Sequence, residues 1–129
     1  KLPIELRMLL GCSMLRYALV MLQQLHVDLT LGPKYALSNR EEAKPNTGIS
    51  GRIDRAILNL RENLLLFAPV VLILAIAKIS NGATQNGAIL FFVARIIHAV
   101  TYVLGITMIR SLAWFAGIVG IGIMLSALF

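Results

Sequence analysis

The chain is poor in the residue types that build soluble or disulfide-linked domains. Of its 129 residues only 14% are charged and 7% are aromatic, and Cys12 is its single cysteine. A lone cysteine excludes a disulfide framework within one chain and a cysteine-based metal cluster. Because Cys12 lies in an apolar segment, it is read as a small buried side chain rather than a nucleophile. A soluble domain carries about 25% charged residues, so the shortage of charge argues against a soluble globule.

Apolar residues dominate instead: 58% of the chain is hydrophobic and the mean hydropathy is +0.82. A hydrocarbon core about 30 Å thick takes roughly 20 apolar residues to cross, and four segments approach or exceed that length. We therefore predict an all-α integral membrane protein with one domain over residues 1–129, folded as an antiparallel bundle of four transmembrane helices. The helices are expected at about residues 4–26, 51–80, 84–107 and 110–129.

The net charge of +6 would suggest a nucleic-acid partner in a soluble protein, but here it is interpreted as membrane topology, with no nucleic acid involved. Basic residues concentrate in the connection between helices 1 and 2 and at the turn into helix 4: Lys34, Arg40, Lys44, Arg52 and Arg110. The positive-inside rule places this connection in the cytoplasm and both termini outside. The small size and short loops favour a bacterial inner membrane.

Helices 2 and 3 each carry a stripe of three polar side chains. Helix 2 has Arg55, Asn59 and Glu62, and helix 3 has Arg95, His98 and Tyr102. Their spacings, i, i+4, i+7 and i, i+3, i+7, put each stripe on one helix face. A charged side chain facing lipid costs at least a few kcal/mol at the bilayer centre, so these residues are expected to face the protein interior or a wet cavity.

The two stripes fit a single antiparallel register of helices 2 and 3. In an antiparallel pair of helices, two residues at the same depth in the membrane have residue numbers that add up to a constant. Arg55 is level with Tyr102, Asn59 with His98, and Glu62 with Arg95. We hypothesise that Glu62 faces Arg95, within one chain or across a subunit boundary, which would neutralise two costly charges. Polar residues inside membranes also serve simply to hold helices together, and that role stays open for Asn59 or His98 alone.

Three sequence motifs resemble one family, the membrane-associated proteins in eicosanoid and glutathione metabolism (MAPEG). RAILNLREN at residues 55–63 fits the family pattern Arg-Ala-x-x-Asn-x-x-Glu of helix 2. ARIIHAVTY at residues 94–102 fits Arg-x-x-(His or Tyr)-x-x-x-Tyr of helix 3, and RSLAWF at residues 110–115 resembles the start of helix 4. The order and spacing of the three motifs make the resemblance specific over nearly the whole chain.

The resemblance implies a homotrimer in a lipid membrane, with glutathione bound between neighbouring subunits near the cytoplasmic side. It implies glutathione-binding roles for six residues: Arg55, Asn59, Glu62, Arg95, His98 and Tyr102. It implies catalytic roles near the sulfur for Arg110 and Ser111, and a hydrophobic electrophile as second substrate. The chain differs from the pattern around residues 23–27 of helix 1, where relatives often have arginine.

The leading hypothesis is a membrane-embedded glutathione-dependent transferase or peroxidase. The alternative is a non-catalytic lipid-binding or adaptor protein on the same trimeric scaffold, which would bind lipids without thiol chemistry. A third hypothesis, ranked last, is a small four-helix drug exporter. Such exporters need a membrane-embedded glutamate in helix 1, and the only candidate, Glu5, lies at the very start of that helix beside Arg7.

Overall fold

The computed structural model describes residues 2–32, 34 and 48–129. Within these residues the chain forms four α-helices: α1 (Ile4–Leu31), α2 (Gly48–Ile76), α3 (Gly82–Leu104) and α4 (Met108–Ser126). Each is long and apolar enough to cross a membrane, and no strand occurs in the part of the chain that is described. The protein is therefore an all-α, multi-pass membrane protein, as its composition predicts.

The helices differ in length. α4 has 19 residues and rises about 28 Å, close to the thickness of a hydrocarbon core. α1 and α2 have 28 and 29 residues, about 42 Å and 43 Å. α1 runs past the expected residue 26 to Leu31, and α2 begins before the expected residue 51, at Gly48. Both extend toward the predicted cytoplasmic connection, of which residues 33 and 35–47, including Arg40 and Lys44, lie outside the described residues.

Short connections make the last three helices antiparallel neighbours. Asn81 caps α3 through a capping box with Thr84, in which each side chain accepts a hydrogen bond from the other residue's backbone N–H. At its other end α3 stops at Gly105, whose left-handed backbone (φ 79°) is accessible to glycine at little cost. Arg52 of α2 donates a 2.9 Å hydrogen bond from Nε to the carbonyl of Val103, and so ties the start of α2 to this turn.

α3 and α4 approach each other most closely at two glycines. A Cβ added to Gly87 would lie 2.6 Å from the carbonyl oxygen of Gly120, and one added to Gly120 would lie 2.7 Å from that of Gly87. Such contacts let backbones pack without intervening side chains. One turn from Gly120, Gly117 packs against Phe91, Ala94 and the aliphatic stem of Arg95. α4 is thereby fixed against the polar stripe of α3.

An apolar core fills the middle of the bundle and separates its two ends. Phe67 and Phe91 stack with ring centroids 4.0 Å apart, and Cys12 is fully buried in the same cluster. A second cluster joins Leu19 of α1 to residues of α2 and α3 closer to the predicted cytoplasmic end. Each end of the bundle beyond this core carries its own group of polar side chains.

Candidate functional site

Three helices surround a cavity of about 240 Å³ at the end of the bundle toward which α1 and α2 extend. It is lined by Asn59 of α2, His98 and Tyr102 of α3, and Arg110, Ser111 and Trp114 of α4. Arg52 of α2 contacts the end of α3, and Asn59 lies seven residues further along α2. The cavity therefore extends about 10 Å along the bundle from the end of α3. It is a polar recess in the membrane-spanning part of the bundle.

Arg110 is held in place by an aromatic ring. Its guanidinium carbon lies 4.5 Å from the centroid of the Tyr102 ring, a cation–π geometry. Tyr102 in turn meets the His98 ring edge-on, with centroids 5.4 Å apart. Because α4 begins only three residues after α3 ends, Arg110 in its first turn cannot move far from Tyr102. Ser111 lines the same cavity, and its hydroxyl donates to the carbonyl of Thr107 at 3.1 Å.

Arg95 lies directly behind this cavity rather than on its wall. Its side chain is only 1% exposed, and its Nη2 donates to Asn59 Oδ1 at 2.7 Å and contacts His98 Nδ1 at 3.3 Å. A guanidinium has no acceptor, so Nδ1 must accept and the imidazole proton resides on Nε2. Arg95 thereby orients an amide and an imidazole N–H. Its own Nε and Nη1 are buried and have no hydrogen-bond partner among the described residues.

The hypothesised pairing of Glu62 with Arg95 does not form within the chain. Arg95 contacts Asn59 instead, and Glu62 is exposed on the outer side of α2, as is Arg55. The constant-sum register compares depths along two helices but does not fix the rotation of either helix about its axis. That rotation turns Asn59 inward and turns Arg55 and Glu62 toward the surface of the single chain.

The structure thus brings five of the eight predicted site residues around one cavity: Asn59, His98, Tyr102, Arg110 and Ser111. Arg95 supports them from behind, and Arg55 and Glu62 face outward. Sequence reasoning missed Trp114, which lies four residues after Arg110 and therefore on the same face of α4. The four-residue spacing from Arg110 was the feature of the sequence that could have identified Trp114.

Sequence reasoning also missed a polar contact that joins α1 to α2 at this end. Buried Gln23 donates from Nε2 to the carbonyl of Ser50 at 2.9 Å and to Asp54 Oδ1. Gln23 belongs to residues 23–27 of α1, the stretch in which the chain differs from the family pattern by having no arginine. Gln23 therefore fixes α2 beside α1 but brings no charge to the cavity.

The donor set of the cavity suits an anionic, polar ligand. It offers a guanidinium, an imidazole N–H and an amide, and Arg110 can bind a carboxylate or thiolate through charge-assisted hydrogen bonds. Among the residues that the structure describes, no group of three His, Cys, Asp or Glu side chains is placed to hold a metal ion. The chemistry available from the described side chains is that of binding an anion and stabilising negative charge.

Comparison with known proteins gives one match. The model of the MAPEG family matches residues 8–129, nearly the whole chain. No curated protein and no solved structure matches. The matched region contains all four helices apart from the first turn of α1, and with them every residue of the cavity.

Proposed function

The chain belongs to the MAPEG family, and on that premise we propose that it is a glutathione-dependent transferase or peroxidase that acts inside the membrane on a hydrophobic electrophile. Membership supports a membrane protein related to glutathione and eicosanoid metabolism. One observation carries the finer proposal: Asn59, His98, Tyr102, Arg110 and Ser111, from three helices, line one cavity. A scaffold without thiol chemistry has no need of a fixed arginine there.

We assign glutathione binding to both sides of a subunit boundary. The inward residues Asn59 and His98 offer N–H donors to the peptide's carbonyl and carboxylate oxygens, with Arg95 as the positioning residue behind them. Arg55 and Glu62 face outward on α2, where an arginine fork suits a carboxylate and a glutamate suits an ammonium. Charges are costly toward lipid, so a neighbouring copy that covers this face would both shield them and complete the site.

The size of the cavity supports this division between subunits. At about 240 Å³ it is smaller than typical ligand sites of roughly 300–1,000 Å³, as a single chain's share of a larger site would be. We therefore propose a homotrimer. Mass measurement of the intact particle by native mass spectrometry tests the assembly, with three times 14.1 kDa expected.

Arg110 is the residue proposed to act on the sulfur. Bound glutathione would supply a thiol that loses its proton to water, and the thiolate would form the new carbon–sulfur bond while the leaving group departs with its electron pair. A guanidinium fixed by Tyr102 favours the thiolate over the thiol. The hydroxyl of Ser111, which lines the same cavity, adds a second polar group near the sulfur.

The second substrate would arrive from the bilayer. Trp114 lines the cavity, and Phe115 beside it is 63% exposed, so an apolar surface continues from the polar recess toward lipid. This continuity would bring a lipid-soluble electrophile to the sulfur. In the peroxidase form the electrophile is a hydroperoxide, and a second glutathione thiol completes the reduction to an alcohol, water and glutathione disulfide.

We place the cavity at the cytoplasmic face of a bacterial inner membrane, where glutathione is dissolved. The orientation is supported by Arg52 and Arg110 at this end of the bundle and by the basic connection between α1 and α2. Reporter domains fused after residue 40 and after Phe129 test it. Cytoplasmic reporter activity at the first position and external activity at the second are expected.

Calorimetric titration of the detergent-purified protein with glutathione tests the enzyme proposal. Glu62→Gln is expected to abolish saturable binding, because it removes the partner for the peptide's ammonium. Arg110→Ala is expected to keep binding but lose the ultraviolet absorbance of the bound thiolate. Arg7→Ala, which removes an exposed arginine at the opposite end of α1, is the matched control and should change neither.

The alternative, a lipid-binding or adaptor protein on the same scaffold, is favoured by the absence of an arginine from residues 23–27 of α1. Gln23 is engaged with Ser50 and Asp54, so α1 offers no charge to glutathione at this position. No heat of binding at millimolar glutathione, with fatty-acid binding retained, would reject the enzyme and establish this alternative.

A further inference from the structure

A second group of polar side chains lies at the end of the bundle opposite the cavity of Arg110. Glu5, in the first turn of α1, is only 2% exposed. Its Oε1 accepts a 3.2 Å hydrogen bond from Ser80 Oγ, and its Oε2 accepts a 2.6 Å hydrogen bond from Thr84 Oγ1. Ser80 itself accepts from Gln85 Nε2 at 3.1 Å, which leaves its hydroxyl proton for Glu5.

Among the residues that the structure describes, both partners of this carboxylate are neutral hydroxyls, and no Lys, Arg or His side chain pairs with it. Burying a carboxylate is costly unless a cation compensates it. Two hydroxyl donors use two of its roughly four lone-pair positions, so the carboxylate retains acceptors for a cationic ligand.

A cavity of about 310 Å³ opens beside this carboxylate. Its walls combine apolar residues of α1 and α2 with the polar side chains of Glu5 and Ser80. The apolar residues include Leu6, Val71, Leu74 and Ala75. The exposed side chain of Lys78 lies at the same cavity. The cavity therefore offers one buried negative charge, one exposed positive charge and an apolar wall continuous with the membrane-facing helices.

From this arrangement we propose that the cavity binds an aminophospholipid. The primary ammonium of the lipid donates to Glu5, its phosphate pairs with Lys78, and the start of an acyl chain lies along Val71, Leu74 and Ala75. A simple long-chain amine lacks the phosphate and would be repelled by Lys78. A quaternary ammonium cannot donate hydrogen bonds to the carboxylate, so a choline headgroup fits less well.

Native mass spectrometry of the delipidated protein tests this, using equimolar ethanolamine, choline and glycerol phospholipids with identical acyl chains. Wild type should retain the ethanolamine lipid about tenfold over the other two, the value of one charge-assisted hydrogen bond. Glu5→Gln should bring that ratio to about one, and Lys78→Gln should lower retention of the ethanolamine lipid. Arg7→Gln, which removes an exposed charge at the same end, is the control.

A steric variant keeps the test decisive if Glu5→Gln fails to fold. Ala75→Phe should close the cavity from its exposed wall and remove the bound lipid, whereas Ala77→Phe, on an exposed residue outside the cavity, should not. Equal retention of ethanolamine and choline lipids by wild type, or an unchanged preference in Glu5→Gln, would overturn the proposal. So would competition by dodecylamine as effective as that of the ethanolamine lipid, because Lys78 would then have no role.

Discussion

The two ends of this bundle each bury one charged side chain, and they satisfy it in opposite ways. At the Arg110 end, the guanidinium of Arg95 is 1% exposed and bonds an amide and an imidazole, and two of its nitrogens have no hydrogen-bond partner within the part of the chain that the structure describes. At the other end, the carboxylate of Glu5 is 2% exposed and both its oxygens accept from hydroxyls. The first end surrounds its charge with groups that line the more open of the two cavities, and we call it the open end. The second holds its charge between α1 and α3 beside the less open cavity, and we call it the closed end.

The two ends of the bundle use a buried charge for different purposes. Arg95 fixes Asn59 and His98, and both residues line the cavity. Glu5 holds the start of α1 to the start of α3, through Ser80 and Thr84. Charge at the open end therefore serves recognition, and charge at the closed end first serves assembly.

The largest effect is expected from a substitution that disrupts the packing of α3 against α4, on which both ends of the bundle depend. Gly120→Leu would drive a side chain into the backbone of α3 at Gly87, and we expect a loss of about 3 kcal/mol or more. Chemical unfolding in mixed micelles would measure it. Gly122→Leu is the matched control, because nothing lies within 4 Å of a Cβ there. Equal stability of the two variants would show that the helices do not cross at Gly87 and Gly120.

The next largest effect is expected from a substitution that changes only the closed end. Thr84→Val keeps the side-chain shape but removes a donor to the buried carboxylate and, with it, the acceptor for the backbone N–H of Asn81 in the capping box of α3. We therefore expect a loss of about 2–3 kcal/mol in stability with glutathione affinity unchanged. Thr101→Val is the control, since that hydroxyl bonds only carbonyls of its own helix. A fall in glutathione affinity for Thr84→Val would mean that the two ends are coupled and the comparison fails.

A smaller effect is expected from a substitution that changes only the open end. Tyr102→Leu removes the ring beneath Arg110, and we expect about 1 kcal/mol less stabilisation of the bound thiolate. Tyr102→Phe keeps the ring and should retain thiolate formation, although it loses a hydroxyl that could bind the peptide. Ultraviolet titration of the glutathione complex measures both variants. Equal loss in both would assign the role to the hydroxyl rather than the ring.

The smallest expected effect concerns Glu62 and Arg95. Because they do not pair within one chain and Arg95 is already buried there, a double-mutant cycle with Arg95→Leu and Glu62→Leu should give a coupling energy below about 0.5 kcal/mol. Unfolding measurements on the four proteins provide it. A coupling of several kcal/mol would restore the pairing that the sequence register suggested, and would place Arg95 among the residues that respond to a neighbouring copy.

The fold was predictable because a membrane helix is specified mainly by composition. Four apolar segments fixed the number of helices and their order. Their ends were less accessible: α1 continues to Leu31 through local contacts such as the hydrogen bond from Gln24 to Asp28, which do not depend on hydropathy. Helix ends that lie outside the hydrocarbon core leave no apolar signal in the sequence.

For the candidate site, periodicity showed which residues share a helix face but not how each helix is rotated. It grouped Asn59 with Arg55 and Glu62, although the structure turns only Asn59 inward. The partners of Glu5 were beyond sequence reasoning altogether. Ser80 and Thr84 lie 75 and 79 residues further along the chain, and hydroxyl residues near a turn have no pattern that points to a distant carboxylate.

The contact between Glu5 and Thr84 also has a consequence for the timing of synthesis. Its two partners are separated by 79 residues, so at roughly 5–20 residues per second the ribosome takes about 4–16 s to supply the second after the first. During that interval the start of α1 has a carboxylate without its hydroxyls. The contact between α1 and α3 can therefore form only after α3 has been synthesised, later than the packing of α1 against α2.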